Sequence, residues 1–227
     1  MKAILFDAGN TLVWLDHPFM VQALREHGAE ATEDQILAAE YGAKRLLDEL
    51  IRSGNAGNDE SRGRVYFREI LRQLGVDDAL FPGVAKTLYA RHAERNLWCN
   101  VRGRTAETLE ELRRRGYRLG VISNSDGRIE ALLESVGLRP WFDFVIDSGE
   151  VGIEKPDPRI FRIALDRLGV EPAEALYVGD IYEIDVVGAR AAGMHAVLID
   201  PLDRWDELDC DRIRGVDELP EWLERRG

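Results

Sequence analysis

Two hydrophobic patterns alternate along the chain. The first apolar run, Lys2-Ala3-Ile4-Leu5-Phe6, is continuous and short, and it predicts a buried strand ending at Asp7. From Pro18 the period changes. Val21, Leu24, Ala31, Ile36, Ala39, Leu46, Leu47, Leu50 and Ile51 recur at three- and four-residue steps, the spacing of helices. Thr32-Glu33-Asp34-Gln35 reads as a helix cap followed by an acidic first turn. Residues 53–58 (Ser-Gly-Asn-Ala-Gly-Asn) predict a loop. Helical periodicity resumes through Tyr66, Phe67, Ile70, Leu71 and Leu74 and stops at Gly75. Pro82-Gly83 predicts another break, with a helix from Val84 to Glu94 after it. His17, just before Pro18, is expected to be a solvated loop residue, and Lys44 a solvated helix lysine.

After Trp98, strands and helices alternate. Strands are expected at 117–122, 144–146, 175–178 and 194–199, and helices at 105–115, 129–136, 158–168 and 185–192. Apolar strands without polar alternation suit a parallel sheet covered on both faces. The β-α-β order predicts an α/β fold with a Rossmann-like doubly wound core over residues 1–15 and 98–227, and an inserted all-helical segment over 16–97.

Composition narrows the function classes. Of 227 residues, 45% are hydrophobic, enough for a sizeable core. No apolar run is long enough to span a bilayer, and Met1-Lys2 leads straight into a strand, so neither a membrane anchor nor a signal peptide is expected. The net charge of -12 opposes nucleic acid and anionic membranes as partners, though a local basic pocket could still hold a small anion. Cys99 and Cys210 have no metal-motif or disulfide spacing and fit a reducing cytoplasm.

In an open parallel sheet the site lies beyond the carboxyl ends of the strands. Asp7, Ser123, Lys155, Asp180 and Asp185 fall at or just after those ends. Each alone has a structural reading: a helix cap for Asp7 or Ser123, a surface cation for Lys155, turn chemistry for Asp180. Together they suit phosphoryl transfer. Asp7 can attack an electrophile. Asp180 with Asp7 can bind Mg²⁺, a hard cation that prefers oxygen ligands, and Asp185 can orient the water around it. Ser123 can donate to a phosphoryl oxygen, and Lys155 can neutralise charge on both reactants.

These motifs resemble the haloacid dehalogenase-like hydrolase superfamily over nearly the whole chain. Motif one is Asp7-Ala8-Gly9-Asn10-Thr11, motif two Val121-Ile122-Ser123-Asn124, motif three Lys155-Pro156, and motif four Gly179-Asp180 through Asp185. The helical segment after motif one is similar to the cap of one large subgroup, which would close over the site and exclude water. The resemblance implies an aspartyl nucleophile at Asp7, Mg²⁺ held by Asp7, the Gly9 carbonyl and Asp180 with Asp185, support from Thr11, and substrate contacts from Ser123, Asn124 and Lys155. The expected partner is a small phosphorylated metabolite.

One departure matters. The superfamily's phosphatases carry a second aspartate, the general acid, where this chain has Gly9. Four readings follow: a phosphatase whose leaving group needs little protonation or whose acid lies elsewhere, a 2-haloacid dehalogenase, a phosphonate hydrolase using a cap lysine such as Lys44, or a binding protein without turnover. Asn10 replaces a glycine common in this turn, and Asn tolerates left-handed backbone. Among cap cations, Arg62 and Arg64 are the candidates to face an anion, and Trp14 is expected to pack in the core.

Overall fold

The computed structural model describes residues 1–226. The chain begins with β1 (Ala3–Phe6), then β2 (Trp14–Leu15). Four helices follow: α1 (His17–Glu26), α2 (Glu33–Arg52), α3 (Asp59–Gln73) and α4 (Phe81–Glu94). Next come β3 (Trp98–Asn100), α5 (Thr105–Arg114), β4 (Arg118–Ser123), α6 (Ile129–Ser135), β5 (Phe144–Asp147), α7 (Ser148–Val151) and α8 (Pro158–Leu168). The last elements are β6 (Ala175–Gly179), α9 (Gly188–Ala191), β7 (His195–Ile199), β8 (Asp211–Ile213) and α10 (Leu219–Glu224).

The chain forms two units, Met1–Trp14 with Asn100–Gly227, and Leu15–Cys99. The first is an α/β unit around a six-stranded parallel sheet in the order β5-β4-β1-β6-β7-β8. From β1 the chain winds outward through β4 and β5 on one side, and through β6, β7 and β8 on the other. All four residues of β1 are buried, as are all five of β6, which explains why neither strand alternates. At Gly120 in β4 a Cβ would come within 2.7 Å of the Phe144 ring and 2.9 Å of Leu5, so neighbouring side chains occupy the space above that strand.

The second unit is helical. In α2, the Thr32 hydroxyl accepts from the Gln35 N–H while the Gln35 side chain accepts from the Thr32 N–H, so the predicted cap is a full capping box. Four expectations need correction. Pro82-Gly83 is not a break: α4 starts at Phe81, and Pro82 sits in the first turn, where a missing N–H leaves no bond unmade. His17 is not a solvated loop residue but the first, buried residue of α1, whose cap is the Asp16 carboxylate accepting from the Phe19 N–H. Lys44 is buried rather than solvated. The predicted helix at 185–192 is a π-helical turn over Tyr182–Val187 that leads into the short α9. β8 and α10 were not expected; their periodicity is too brief to register.

The burial of His17 and Lys44 exposes a polar core in this unit. Glu40 is almost wholly buried, with His17 Nε2 2.5 Å from its Oε1 and the Tyr66 hydroxyl donating to its Oε2 at 2.6 Å. Burial alone would raise the Glu40 pKa. The His17 hydrogen bond, the Lys44 and His17 charges and the Tyr66 hydroxyl outweigh it and hold the carboxyl below its ordinary 4.5. A carboxyl lowered by folding contributes stability that is complete above 4.5 and lost as pH falls through the folded-state value. Glu40→Gln is therefore expected to lower stability by roughly 1–3 kcal/mol near neutrality. In urea titrations, the gap between wild type and variant should stay constant above pH 4.5 and narrow below it. A gap that widens on acidification would contradict this account.

Candidate active site

Motif one turns sharply because of Asn10. Its φ of 49° is left-handed, a conformation that asparagine adopts at small cost. The Asn10 N–H donates to the Val13 carbonyl at 2.7 Å, and the N–H groups of Leu12 and Val13 both donate to the Ala8 carbonyl at 2.9 Å. This compact loop starts at the end of β1, where the Asp7 N–H is tied to the Val178 carbonyl of β6. β1 and β6 lie either side of the point where the strand order reverses, the usual position for a ligand site in this architecture.

Lys155 is the hub. Its Nζ donates to Asp7 Oδ1 at 2.6 Å, to Asp185 Oδ1 at 2.8 Å and to the Tyr177 hydroxyl at 2.8 Å. An ammonium has three donors, and all three are used. Its backbone is fixed as firmly. The Lys155 N–H donates to Asn124 Oδ1 at 2.8 Å, and Asn124 Nδ2 donates back to the Lys155 carbonyl at 3.0 Å. Both ends of the Asn124 amide, expected to meet substrate, thus clamp the lysine's main chain. Burial works against the charge on Lys155, but Asp185 and Asp7 beside it hold the ammonium well above lysine's ordinary value.

Asp185 is bound on its other edge too. Its Oδ2 accepts from the Asp180 and Ile181 N–H groups at 2.9 and 3.0 Å. This fold-back requires Gly179, since a Cβ there would sit 2.3 Å from Asp185 Cγ. Asp7, Asp180 and Asp185 each place a carboxylate oxygen within 4.8 Å of the others, all buried. Burial pushes the Asp7 carboxyl up to about 7; Lys155 opposes this, while Asp185 and Asp180 add to it. Ser123 is buried at the end of β4, its hydroxyl making only a long 3.5 Å contact to the Asn124 carbonyl. Thr11 is wholly buried, and its hydroxyl has no hydrogen-bond partner among the described residues.

The other candidates have different partners. Arg62 donates to the Gly57 carbonyl at 2.8 Å and pairs with Asp59, and Arg64 pairs with Glu60, so both make bonds within their own unit. Trp14 is buried with the Arg102 guanidinium 3.8 Å above its ring. Among the described residues, Cys99 and Cys210 form no disulfide. Sequence reasoning missed Tyr177, which reads as one more apolar position of β6. The signal was present, since a tyrosine in a strand buried on both faces needs a partner for its hydroxyl.

Residues 1–193 match the haloacid dehalogenase-like hydrolase family. The chain belongs to this family. Haloacid dehalogenase-like hydrolase domain-containing protein 3 of Bos taurus is 36% identical over 213 residues, covering 89% of this chain and 84% of that protein. The glyceraldehyde 3-phosphate phosphatase of Methanopyrus kandleri is 32% identical over 228 residues, covering 98% of this chain and 92% of that one. Among solved structures, a HAD phosphatase from Thermococcus onnurineus aligns with a TM-score of 0.59 at 29% identity, over 98% of each chain. The α/β sheet with a helical cap is the fold of the family. Among the described residues, no helix is long and apolar enough to cross a membrane.

In this hydrolase Lys155 compensates two buried carboxylates. Lys155→Met leaves Asp7 and Asp185 buried without their cation, and its expected cost is about 3–5 kcal/mol in urea unfolding. Adding Asp7→Asn removes one of the two stranded charges and should recover part of the loss. A Lys155→Met protein as stable as wild type would show that the cluster is not held by charge pairing.

Proposed function

We propose that this protein is a Mg²⁺-dependent phosphatase of a small phosphorylated metabolite, acting through an aspartyl-phosphate at Asp7. The observation that carries this reading is the buried group of three carboxylates, two of them paired with the Lys155 ammonium. Formally, three negative charges less one positive leave two, the charge that a divalent cation neutralises. The donors are all oxygen, the preference of Mg²⁺. Asp7, Asp180 and the Gly9 carbonyl would hold the ion directly. Asp185, with both oxygens already engaged, would steady Asp180 and the water around the ion. When bound, Mg²⁺ supplies electrostatic stabilisation of the phosphoryl oxygens. The phosphatase relatives support the substrate class.

The chain's own residues do the remaining work. Lys155 orients the Asp7 carboxylate through Oδ1, leaving Oδ2 for attack on phosphorus. Ser123, with its hydroxyl only loosely engaged, donates to a phosphoryl oxygen, and Thr11 supports the loop that carries Asp7. Transfer breaks the bond from phosphorus to the leaving oxygen and forms one to Asp7; water then attacks phosphorus, the bond from phosphorus to Asp7 breaks to restore the carboxylate, and both protons of the water leave on the released phosphate. What the site lacks is a proton donor for the leaving group. Gly9 has no side chain, Lys155 has spent its three N–H groups, and the Tyr177 hydroxyl donates to the Ile122 carbonyl. The finer proposal is therefore a leaving group that departs with little protonation, such as the carboxylate of an acyl phosphate.

The test is a turnover panel with acetyl phosphate, p-nitrophenyl phosphate, a sugar phosphate and L-2-chloropropionate, with and without Mg²⁺. Phosphate release should depend on Mg²⁺, should be fastest for acetyl phosphate, and should vanish in Asp7→Asn. Gly9→Asp should raise sugar phosphate turnover by about 10²-fold while acetyl phosphate changes little. Equal gains on both would show that protonation is not what limits the rate. Chloride release without metal would replace this reading with 2-haloacid dehalogenation, which also needs no acid at position 9.

A further inference from the structure

The Tyr177 side chain is wholly buried in the middle of the sheet, and no role in the reaction has been given to it. Its hydroxyl donates to the Ile122 carbonyl of β4 at 2.9 Å and accepts from Lys155 Nζ at 2.8 Å. The first bond fixes the second. With its only proton committed to a backbone carbonyl, the hydroxyl presents lone pairs alone to the lysine. Its ring is braced edge-on by Phe161 of α8, with centroids 5.0 Å apart. Lys155 precedes that helix, and Ile122 precedes Ser123. One side chain therefore links β6, β4 and the lysine loop.

Without this acceptor, the ammonium would be held only by Asp7 and Asp185. It could then shift between them, or swing out of the line that aims Asp7. We propose that Tyr177 is a positioning residue that fixes the Lys155 ammonium between Asp7 and Asp185. It does not touch the reacting atoms and acts only through the lysine. The effect on rate rests on the reading of Asp7 as nucleophile, whereas the effect on geometry does not.

Tyr177→Phe keeps the ring and deletes the acceptor. A crystal structure of this variant should show Lys155 Nζ moved out of hydrogen-bond distance of Asp7 or Asp185; an unmoved Nζ overturns the proposal whatever the kinetics. With acetyl phosphate and Mg²⁺, kcat is expected to fall about tenfold while KM stays within about a factor of two. An unchanged kcat in an active enzyme also overturns it. A residue that acts through Lys155 has nothing left to do once the lysine is gone. Tyr177→Phe added to Lys155→Met should therefore not reduce the residual kcat further, and an additive loss would mark a merely structural role. Should Tyr177→Phe not fold, site-specific 3,5-difluorotyrosine at position 177 weakens the acceptor and keeps the shape. A smaller fall in kcat is then expected, and none at all counts against the proposal. If wild type turns over no phosphate compound, the phosphatase reading fails, and the position of Nζ alone decides the role of Tyr177.

Discussion

The buried ammonium of Lys155 is the constraint on which the site depends. A lysine removed from water is costly unless each of its donors finds a partner and its charge is opposed. Here Asp7, Asp185 and the Tyr177 hydroxyl meet all three donors. The lysine charge in turn opposes the cost of burying Asp7 without cancelling it. Asp7 lies in a place that raises its pKa to about 7 even with the lysine beside it. Each group makes the burial of the others tolerable, so the cluster is cooperative in a way that pairwise contacts do not capture.

The fold serves this cluster by convergence. Residues separated by up to 178 positions along the chain meet because β1, β4 and β6 are adjacent and point the same way. Parallel strands place their carboxyl ends together, and the winding outward from β1 leaves a crevice there. The supporting details follow from local chemistry. Asn10 allows the turn after Asp7, Gly179 makes room for Asp185 to fold back, and the Asn124 amide locks the backbone of Lys155. The helical unit has a polar core of a different kind, in which Glu40 collects a histidine and a tyrosine.

Gly9 gives this hydrolase its particular character. The position needs only a backbone carbonyl to serve a metal, so losing the side chain need not cost the cation. Under the proposed function it would remove proton transfer to the leaving group, an effect typically worth about 10²–10⁴-fold. On the proposed function, a charge-balanced site without an acid suits bonds that break readily.

Much of this was legible in the sequence. Continuous apolar runs such as Ala3–Phe6 and Ala175–Gly179 announced a parallel sheet, because only a strand covered on both faces lacks polar alternation. Acids and a lysine at the strand ends marked the site, and Thr32 with Gln35 marked a helix start; both signals are local. What stayed hidden were facts about partners. His17 and Lys44 looked solvated because nothing local shows that α1, α2 and α3 pack their polar faces together around Glu40. Tyr177 looked apolar, and Asn124 looked free to meet a ligand. Local pattern was enough to show which groups were available and roughly where most of the longer helices and strands lie, since propensity and periodicity act within a few residues. Only the tertiary structure decided which polar groups satisfy one another, because a buried hydrogen bond depends on distance in space and not on separation along the chain.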